Sequence, residues 1–290
     1  MTVVIGQHFF EGIVMIGDSR ASLRKKDQFV PWRDIVQKIF FLTPNLIIGF
    51  AGDIEFAGAV IPFLVRAIES RPRLGLLHVF ASKAPKLIKH AYDQLVKETG
   101  RTPDVAFIIA GIDFTRPAPA KDANGKITGY LAIYDKKVFK VASPSFAVEN
   151  TSFETPFVVI GSGEPGMKGL EKTFHDLMFG QSTGGLDFQA ALMQITLNKS
   201  IKELGITTVG GLYQIAIIDN RGPRFQTYKG KREPFKDGVA DDELDVELYM
   251  RDGRFIQRDL KTGREVPILL PPEVLKINDS TRDLFTDLDN

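Results

Sequence analysis

The sequence predicts an α+β fold in which strands and helices form separate blocks along the chain. Strand-like segments come first, followed by two helices, further strands, two more helices and a very apolar strand. The regular alternation of strand and helix that is typical of parallel, doubly wound sheets is absent. With 290 residues, 43% of them hydrophobic, the chain is long enough for one large domain or two small ones with a substantial core.

The predicted strands are short runs rich in β-branched and aromatic residues, bounded by turn residues. They span residues 2–10, 13–16, 38–42, 46–51, 105–110, 130–134, 138–141, 157–160 and 213–218. The turn signal Glu11-Gly12 predicts that the first two form a hairpin, and Thr43-Pro44-Asn45 predicts the same for the next two. Loops are predicted over the basic residues 24–26 and over residues 117–129.

Four segments have apolar residues near helical spacing. They span residues 53–70, 79–99, 164–179 and 187–204. Asp53 is the expected N-cap of the first predicted helix, and Gly100 is the expected C-cap of the second. From Arg221 onwards the composition becomes more polar, and a late hairpin is predicted over residues 254–270. We therefore expect a domain over residues 2–220 and a C-terminal extension over residues 221–290.

Composition and charge exclude several classes of function. The 37 basic and 36 acidic residues give a net charge of +1, which offers no whole-chain attraction to nucleic acid or to acidic lipid. Without cysteine there is no disulfide, thiolate metal site or cysteine nucleophile, and the four histidines are far apart in sequence. We expect no metal and no cofactor. No apolar stretch is long enough to cross a bilayer and no secretory signal is evident, so a cytoplasmic location without a membrane partner is expected.

Thr2 is the first candidate nucleophile. Methionine aminopeptidases remove Met1 when the next side chain is small, and threonine qualifies. Thr2 would then carry a hydroxyl group and a free α-amine, whose pKa of about 7.7–8.0 leaves a useful neutral fraction near physiological pH. Such a residue is an activated N-terminal nucleophile. The ordinary alternative is the start of a strand.

Asp18, Arg20 and Lys38 are charged residues at the ends of predicted apolar strands. Charged groups at such positions need partners. A partly desolvated Lys38, fixed by Asp18, would lower the pKa of a neighbouring amine by like-charge repulsion. An ordinary ion pair at the end of a sheet is the alternative interpretation.

Two glycine-containing segments lie where a predicted strand leads into a helix. Residues 49–52, Gly-Phe-Ala-Gly, would expose backbone N–H groups that stabilise an oxyanion, or would serve only close packing. Ser162, within Gly161-Ser162-Gly163, would donate a hydrogen bond into a site or act as an N-cap.

The order and spacing of these segments resemble the proteasome β-subunit family, the N-terminal-nucleophile hydrolases that include the bacterial protease HslV. The matching frame consists of Thr2-Val-Val-Ile-Gly, Gly17-Asp18-Ser19-Arg20-Ala21, Lys38-Ile39, Gly52 and Gly161-Ser162-Gly163. It covers about residues 2–220 and is most specific in the first fifty. The resemblance implies a four-layer α/β/β/α sandwich of the N-terminal-nucleophile hydrolase type, to which residues 221–290 add a C-terminal extension.

The resemblance also implies roles for individual residues. Thr2, Asp18, Lys38 and Ser162 resemble the catalytic residues of the family, and Gly52 resembles the glycine of the oxyanion hole. Three further residues take lesser roles. Arg20 resembles a supporting basic residue, while Ala21 and Phe50 fall where the family lines its specificity pocket.

Residues 206–211, Ile-Thr-Thr-Val-Gly-Gly, depart from the family pattern. The family usually places Asp, two residues and then Ser-Gly-Gly before its penultimate strand, whereas this chain has Ile206 and Val209 at the Asp and Ser positions. Thr207 or Thr208 would replace the hydroxyl group, and Glu203 the carboxylate. Thr208 is kept as a supporting residue.

The function implied by the resemblance is that of a threonine-type peptidase in a self-assembled, homo-oligomeric ring. Its substrates would be peptides or unfolded proteins, with an ATPase unfoldase as a further partner. Two alternatives remain open: a non-catalytic structural subunit of the same fold, favoured by the departure at residues 206–211, and an amidase that acts on a small molecule.

Overall fold

The fold is mixed α/β with antiparallel sheets. It is seen in a computed structural model that describes residues 2–9, 11–25, 28–34, 36–114, 118–131, 134–151, 157–161, 185–203, 205–206, 209–232, 235–236, 239–240 and 244–273. Strands and helices occur in separate blocks, as the α+β prediction requires. All strand pairs in the described residues are antiparallel, and an isolated bridge between Val36 and Leu269 is parallel.

Strands and helices of the described residues are numbered in chain order. The strands are β1 Val3–His8, β2 Gly12–Asp18, β3 Arg20–Lys25, β4 Gln28–Asp34, β5 Ile39–Thr43, β6 Leu46–Gly52, β7 Val105–Phe114, β8 Ala118–Lys121, β9 Ile127–Leu131, β10 Tyr134–Ala142, β11 Glu149–Asn150, β12 Phe157–Gly161, β13 Tyr213–Asp219, β14 Gly222–Gln226, β15 Tyr228–Arg232, β16 Phe235–Lys236, β17 Val239–Ala240, β18 Leu244–Arg251, β19 Arg254–Asp259 and β20 Glu265–Pro267. The α-helices are α1 Ile54–Ser70, α2 Leu77–Thr99 and α3 Leu186–Glu203.

The helix ends follow the predicted capping chemistry. The Asp53 side chain accepts a hydrogen bond from the Phe56 N–H at 2.8 Å, so it caps α1. Gly100 ends α2 with a φ of 68°, a left-handed conformation that favours glycine. The helix predicted over residues 164–179 lies outside the described residues.

Two five-stranded sheets form the centre of the molecule. The strand order is β12-β1-β2-β13-β14 in the first sheet and β11-β10-β7-β6-β5 in the second. The two hairpins predicted in the first fifty residues are present, with Val4 opposite Gly17 in one and Ile39 opposite Gly49 in the other. The hairpin turns thus fix the register that brings the ends of these strands together.

Apolar side chains from both sheets meet in a shared core. Val4 and Met15 of the first sheet lie in the same buried cluster as Ile47 and Ile108 of the second. Because successive side chains of a strand point to opposite faces, Val3 lies in a different cluster from its neighbour.

Helices cover the outer faces of the two sheets. α3 packs against the first sheet in a cluster that includes Met193 and Ile16. α1 and α2 pack against the second sheet in a cluster that includes Leu64, Phe80 and Phe107. Because the helix predicted over residues 164–179 lies outside the described residues, the complete four-layer sandwich stays a prediction.

The C-terminal extension contributes to the core of the protein. Its sheet has the order β15-β18-β19-β20, and Val246 and Phe255 are fully buried in the cluster around α3. Farther on, Pro271 approaches Gly58 of α1, where an added Cβ would lie 3.1 Å from the Pro271 Cβ. The division at residue 220 stays a prediction about domains.

Two segments predicted as loops are strands. Residues 24–26 were expected to form a basic loop, but β3 runs through Lys25 and pairs with β4. Residues 117–129 contain the hairpin β8–β9, whose turn is held by Asp122 Oδ1 accepting from the Asn124 and Lys126 N–H groups at 2.9 Å. Strand pairing satisfies backbone groups whatever the side chains are, so a polar composition alone predicted these segments wrongly.

In the part of the chain that the structure describes, no helix combines the length and the apolar character that crossing a membrane requires.

Candidate active site

Four strand ends meet at one edge of the two central sheets. Thr2 directly precedes β1, Asp18 is the last residue of β2, and Lys38 directly precedes β5. Because β1 and β2 are antiparallel, the start of the first lies beside the end of the second. Gly161, at the end of β12, is opposite Val3.

Lys38 lies at the centre of this group. Its Nζ donates to Thr2 Oγ1 at 2.7 Å, to Asp18 Oδ1 at 2.9 Å and to the main-chain oxygen of Arg20. The side chain is only 1% exposed, and Thr2 is 6% exposed. Burial lowers the pKa of Lys38, because desolvation penalises the ammonium form more than the charge of Asp18 stabilises it.

The Asp18 carboxylate is fully buried and fixed by several donors. Besides Lys38 Nζ, Oδ1 accepts from the Val3 N–H at 3.1 Å, and Oδ2 accepts from the Gly210 N–H at 3.1 Å. A carboxylate held in this way orients the lysine and also fixes the main chain next to Thr2.

Arg20 forms a second buried ion pair beside the first. Its Nε donates to Asp34 Oδ1 at 2.7 Å and its Nη2 donates to Asp34 Oδ2 at 3.2 Å, a bidentate geometry. Nη1 also lies 3.4 Å from the main-chain oxygen of Val209. The arginine thus joins β4 to the segment before β13.

Next to the positions where the sequence departs from the expected Asp and Ser, main-chain N–H groups donate hydrogen bonds to Asp18 and Ser19. The Gly210 N–H bonds Asp18, and the Leu212 N–H donates to Ser19 Oγ at 2.9 Å. Gly211 has a φ of +81°, and an added Cβ would lie 2.7 Å from both Asp34 Cγ and Ser19 Oγ. Glycine is therefore required for this close approach. Val209 is buried in the core beside α3.

Gly52 lies at the end of β6, on the same side as Lys38. The Phe50 N–H donates to the Lys38 carbonyl oxygen at 3.2 Å, on the edge of β6 that faces β5. Because N–H groups two residues apart in a strand point to the same edge, the Gly52 N–H points to this edge too, beyond the first residue of β5. Gly52 is exposed and has a φ of +100°, and an added Cβ would overlap the main-chain oxygen of Asp104. The backbone conformation there favours glycine.

Ala21 and Phe50 have little or no accessible surface. Phe50 is 0% exposed and Ala21 is 3% exposed, and both lie in the core between the second sheet and helices α1 and α2. A side chain without accessible surface does not contact substrate in this conformation, so the structure places Phe50 in the core and not along an open pocket.

Two other predicted site residues, Ser162 and Thr208, lie outside the described residues. Glu203, the alternative source of a carboxylate, is exposed on α3 and lies 3.7 Å from Lys199 Nζ. Among the described residues, no group of three or more His, Cys, Asp or Glu side chains is placed to hold a metal ion.

Sequence reasoning missed Asp34, the Gly210 N–H and Gln214 as parts of this site. Asp34 bonds Arg20, Gly210 bonds Asp18, and Gln214 bonds the main chain around Lys38. One signal was available for Gln214, because a glutamine inside the otherwise apolar run of β13 needs a buried hydrogen-bond partner.

Comparisons with known proteins give a likeness in fold. No protein-family model matches the chain, and no curated protein matches it. Among solved structures, it is similar to a mutant of Anbu from Hyphomicrobium sp. strain MC1, with a TM-score of 0.50 and 15% sequence identity. The match covers 84% of this chain and 87% of that chain.

These results correct the identification made from the sequence motifs. They do not support membership of the proteasome β-subunit family or of its HslV-like branch, because no family model matches and the identity to the solved structure is only 15%. What they show is a distant similarity in fold to Anbu.

Proposed function

We propose that this chain is an N-terminal-nucleophile hydrolase of the threonine peptidase type, with Thr2 as the nucleophile once Met1 has been removed. The observation that carries the proposal is the buried amine of Lys38, 2.7 Å from Thr2 Oγ1 and 2.9 Å from Asp18 Oδ1. A four-layer α/β/β/α sandwich is part of the same proposal, supported by helices on the outer face of each sheet.

The chemistry is the hydrolysis of an amide in two steps. Thr2 Oγ1 attacks the carbonyl carbon while its proton passes to an amine, either Lys38 Nζ or the α-amine freed by removal of Met1. The C–N bond then breaks, and the leaving amine takes that proton. Water attacks the resulting Thr2 ester and releases the acid, which regenerates the hydroxyl group.

The contacts of Lys38 suit it to this task. A neutral amine accepts a proton, and an ordinary lysine is neutral only above a pKa of about 10.4. Burial lowers the pKa of Lys38, so the neutral form is reached at lower pH. Asp18 limits that shift and keeps the amine directed at Thr2.

Gly52 is the proposed donor to the oxyanion. Its N–H is directed to the edge of β6 on which Lys38 lies, and the residue is exposed. A fixed backbone donor of this kind stabilises the negative charge that develops on the carbonyl oxygen during attack.

Peptides or unfolded polypeptides are the proposed substrates, and a second copy of the chain is the proposed partner. α3 supports self-association, because Phe188 and Ile195 lie seven residues apart on one side of the helix and are 50% and 62% exposed. Association with a second copy would remove this apolar surface from water.

The proposal is tested by the intact mass of untagged protein before and after incubation with a peptide epoxyketone, which bridges a hydroxyl and an α-amine on one residue. We expect the wild-type chain to have lost Met1 and to gain one probe mass. The variant Thr2→Ala is expected to gain none while keeping the oligomeric state of the wild type in light scattering. Retained Met1, or equal labelling of Thr2→Ala, would contradict the mechanism.

The rate of adduct formation is expected to rise with pH and to level off below the ordinary lysine pKa of about 10.4. The protonated amine cannot accept the hydroxyl proton, and desolvation lowers the pKa of Lys38, so the rise occurs as pH increases through that lowered value. The measurement is the labelling rate between pH 5 and pH 10. A rate that falls with rising pH, or one that does not begin to level off below the ordinary lysine pKa, would count against Lys38 as the base.

A further inference from the structure

Residues 36–38, the short segment that carries Lys38, form several hydrogen bonds with parts of the chain outside the β5–β6 hairpin. Residues 37 and 38 belong to neither β4 nor β5, and the strand β6 fixes them only through the Phe50 N–H, which donates to the Lys38 carbonyl oxygen at 3.2 Å. The Val36 N–H donates to the Ser19 oxygen at 3.0 Å, and the Gln37 N–H donates to the Leu269 oxygen at 2.9 Å. The first bond comes from the β2–β3 connection, and the second comes from the C-terminal extension.

Gln214 supplies three further bonds to this segment from one side chain. Its Oε1 accepts from the Lys38 N–H at 2.8 Å and from the Ile39 N–H at 3.2 Å. Its Nε2 donates to the Val36 oxygen at 2.6 Å. The side-chain amide therefore bonds the main chain on both sides of Lys38, in the way that a neighbouring strand would.

Gln214 reaches this segment from the other sheet. It lies in β13, opposite Gly17, and is 0% exposed. The absence of a side chain at Gly17 leaves room for Ile39, since an added Cβ would lie 3.3 Å from Ile39 Cδ1. A primary amide in so apolar a setting is costly unless its polar atoms are bonded, and here all of its bonds go to the segment around Lys38.

We propose that Gln214 is a positioning residue for Lys38, which holds the lysine's main chain so that its amine stays buried between Thr2 and Asp18. The inference rests on the proposed function. Lys38 Nζ is aimed by Asp18, but the position of its Cα is set by bonds to its own N–H and carbonyl groups. Small displacements matter, because a misplacement of about 1 Å at a catalytic group can cost about 100-fold in rate.

The test compares Gln214→Met with Gln7→Met. Methionine keeps the length and lack of branching of glutamine but supplies none of its hydrogen bonds. Gln7 is the matched control, because it is a 4%-exposed glutamine of the same sheet whose side-chain oxygen has no partner among the described residues. The readouts are epoxyketone labelling kinetics from pH 5 to pH 10 and hydrogen exchange of the peptide covering residues 36–41.

For Gln214→Met we expect the maximal labelling rate to fall about tenfold or more, within the range that misplacement produces, while the half-saturating probe concentration changes little. Water reaching the loosened lysine would move the rise in rate to higher pH. Asp18, Asp34 and Arg20 are the charged groups facing Lys38, and all remain in the variant. Exchange at residues 36–41 is expected to be faster than in the wild type and in Gln7→Met.

Unchanged labelling kinetics and pH profile in Gln214→Met would overturn the inference, even if exchange were faster, because Gln214 would then be only structural. If the wild-type chain gives no adduct, the proposed function fails. Unchanged hydrogen exchange at residues 36–41 in Gln214→Met would separately overturn the role of Gln214. If Gln214→Met does not fold, Gln214→Glu takes its place, since it keeps an acceptor for the Lys38 N–H. A smaller loss of rate, with the rise again at higher pH, is then expected, and wild-type kinetics would overturn the inference.

Discussion

Replacing Lys38 by methionine is expected to abolish labelling of Thr2 and to lower the free energy of unfolding by about 3–5 kcal/mol, the usual cost of removing one partner of a buried ion pair. Labelling is lost because Thr2 Oγ1 loses the amine that lies 2.7 Å away. Stability is lost because Asp18, which is fully buried, loses its counter-ion. Urea denaturation and intact-mass labelling measure the two effects.

The same substitution at an exposed ion pair is the control. Lys89 and Asp93 are one helical turn apart in α2, and their side chains are 43% and 55% exposed. Pairs of this kind contribute about 0.3–0.5 kcal/mol, so Lys89→Met is expected to change stability by no more than that and to leave labelling intact. A loss of stability in Lys38→Met as small as in the control would show that Asp18 does not depend on Lys38.

A double variant separates the electrostatic effect from the chemical one. Adding Asp18→Asn to Lys38→Met removes the buried charge, so part of the lost stability is expected to return. Labelling is not expected to return, because the Lys38 amine that lies 2.7 Å from Thr2 Oγ1 is still missing. If the double variant labelled at the wild-type rate, neither residue would be needed for nucleophile activation.

The sequence allowed prediction of the hairpins and of the positions at which chemistry is concentrated, because both depend on local signals. Turn residues between short apolar runs predicted the β1–β2 and β5–β6 hairpins, and charged residues at strand ends drew attention to Asp18 and Lys38. The charged residues are informative because a buried strand tolerates a charged side chain only where an ion-pair or hydrogen-bond partner is present.

The partners themselves could not be read from the sequence, since they come from distant parts of the chain. Gln214 lies 176 residues from Lys38, and the Gly210 N–H lies 192 residues from Asp18. Such pairings depend on the stacking of two sheets and on strand order, and the local sequence pattern predicts neither.

Phe50 illustrates a second limit. β6 is buried on both faces, with Ile48 and Phe50 against the helices and Ile47 and Ala51 between the sheets. In a strand buried on both faces, the alternation of apolar and polar residues disappears, so the sequence does not reveal which side chains point to which face. The assignment of Phe50 to a pocket rested on position alone, and the side chain lies in the core.

Replacing Gly161 by alanine is expected to have the second large effect, because this glycine touches the main chain of Thr2, the proposed nucleophile. Gly161 has a φ of +119°, and an added Cβ would overlap the Thr2 carbonyl oxygen. Val3 is paired with Gly161 in the β1–β12 ladder, so the overlap is relieved only if the start of β1 moves away from β12. We expect Gly161→Ala to lose labelling of Thr2.

Gly100→Ala is the matched control for this change. Gly100 also has a positive φ, +68°, but no atom lies within 4 Å of an added Cβ. It should therefore show only the conformational cost of a left-handed alanine, about 1–2 kcal/mol, with labelling unaffected. Gly161→Ala adds a steric overlap with backbone that no rotamer change relieves, so its loss of stability in urea should exceed that of the control. Equal losses of stability in the two variants, with labelling retained in both, would contradict this prediction. The close approach of Gly161 to Thr2 would then have no effect on the reactivity of Thr2.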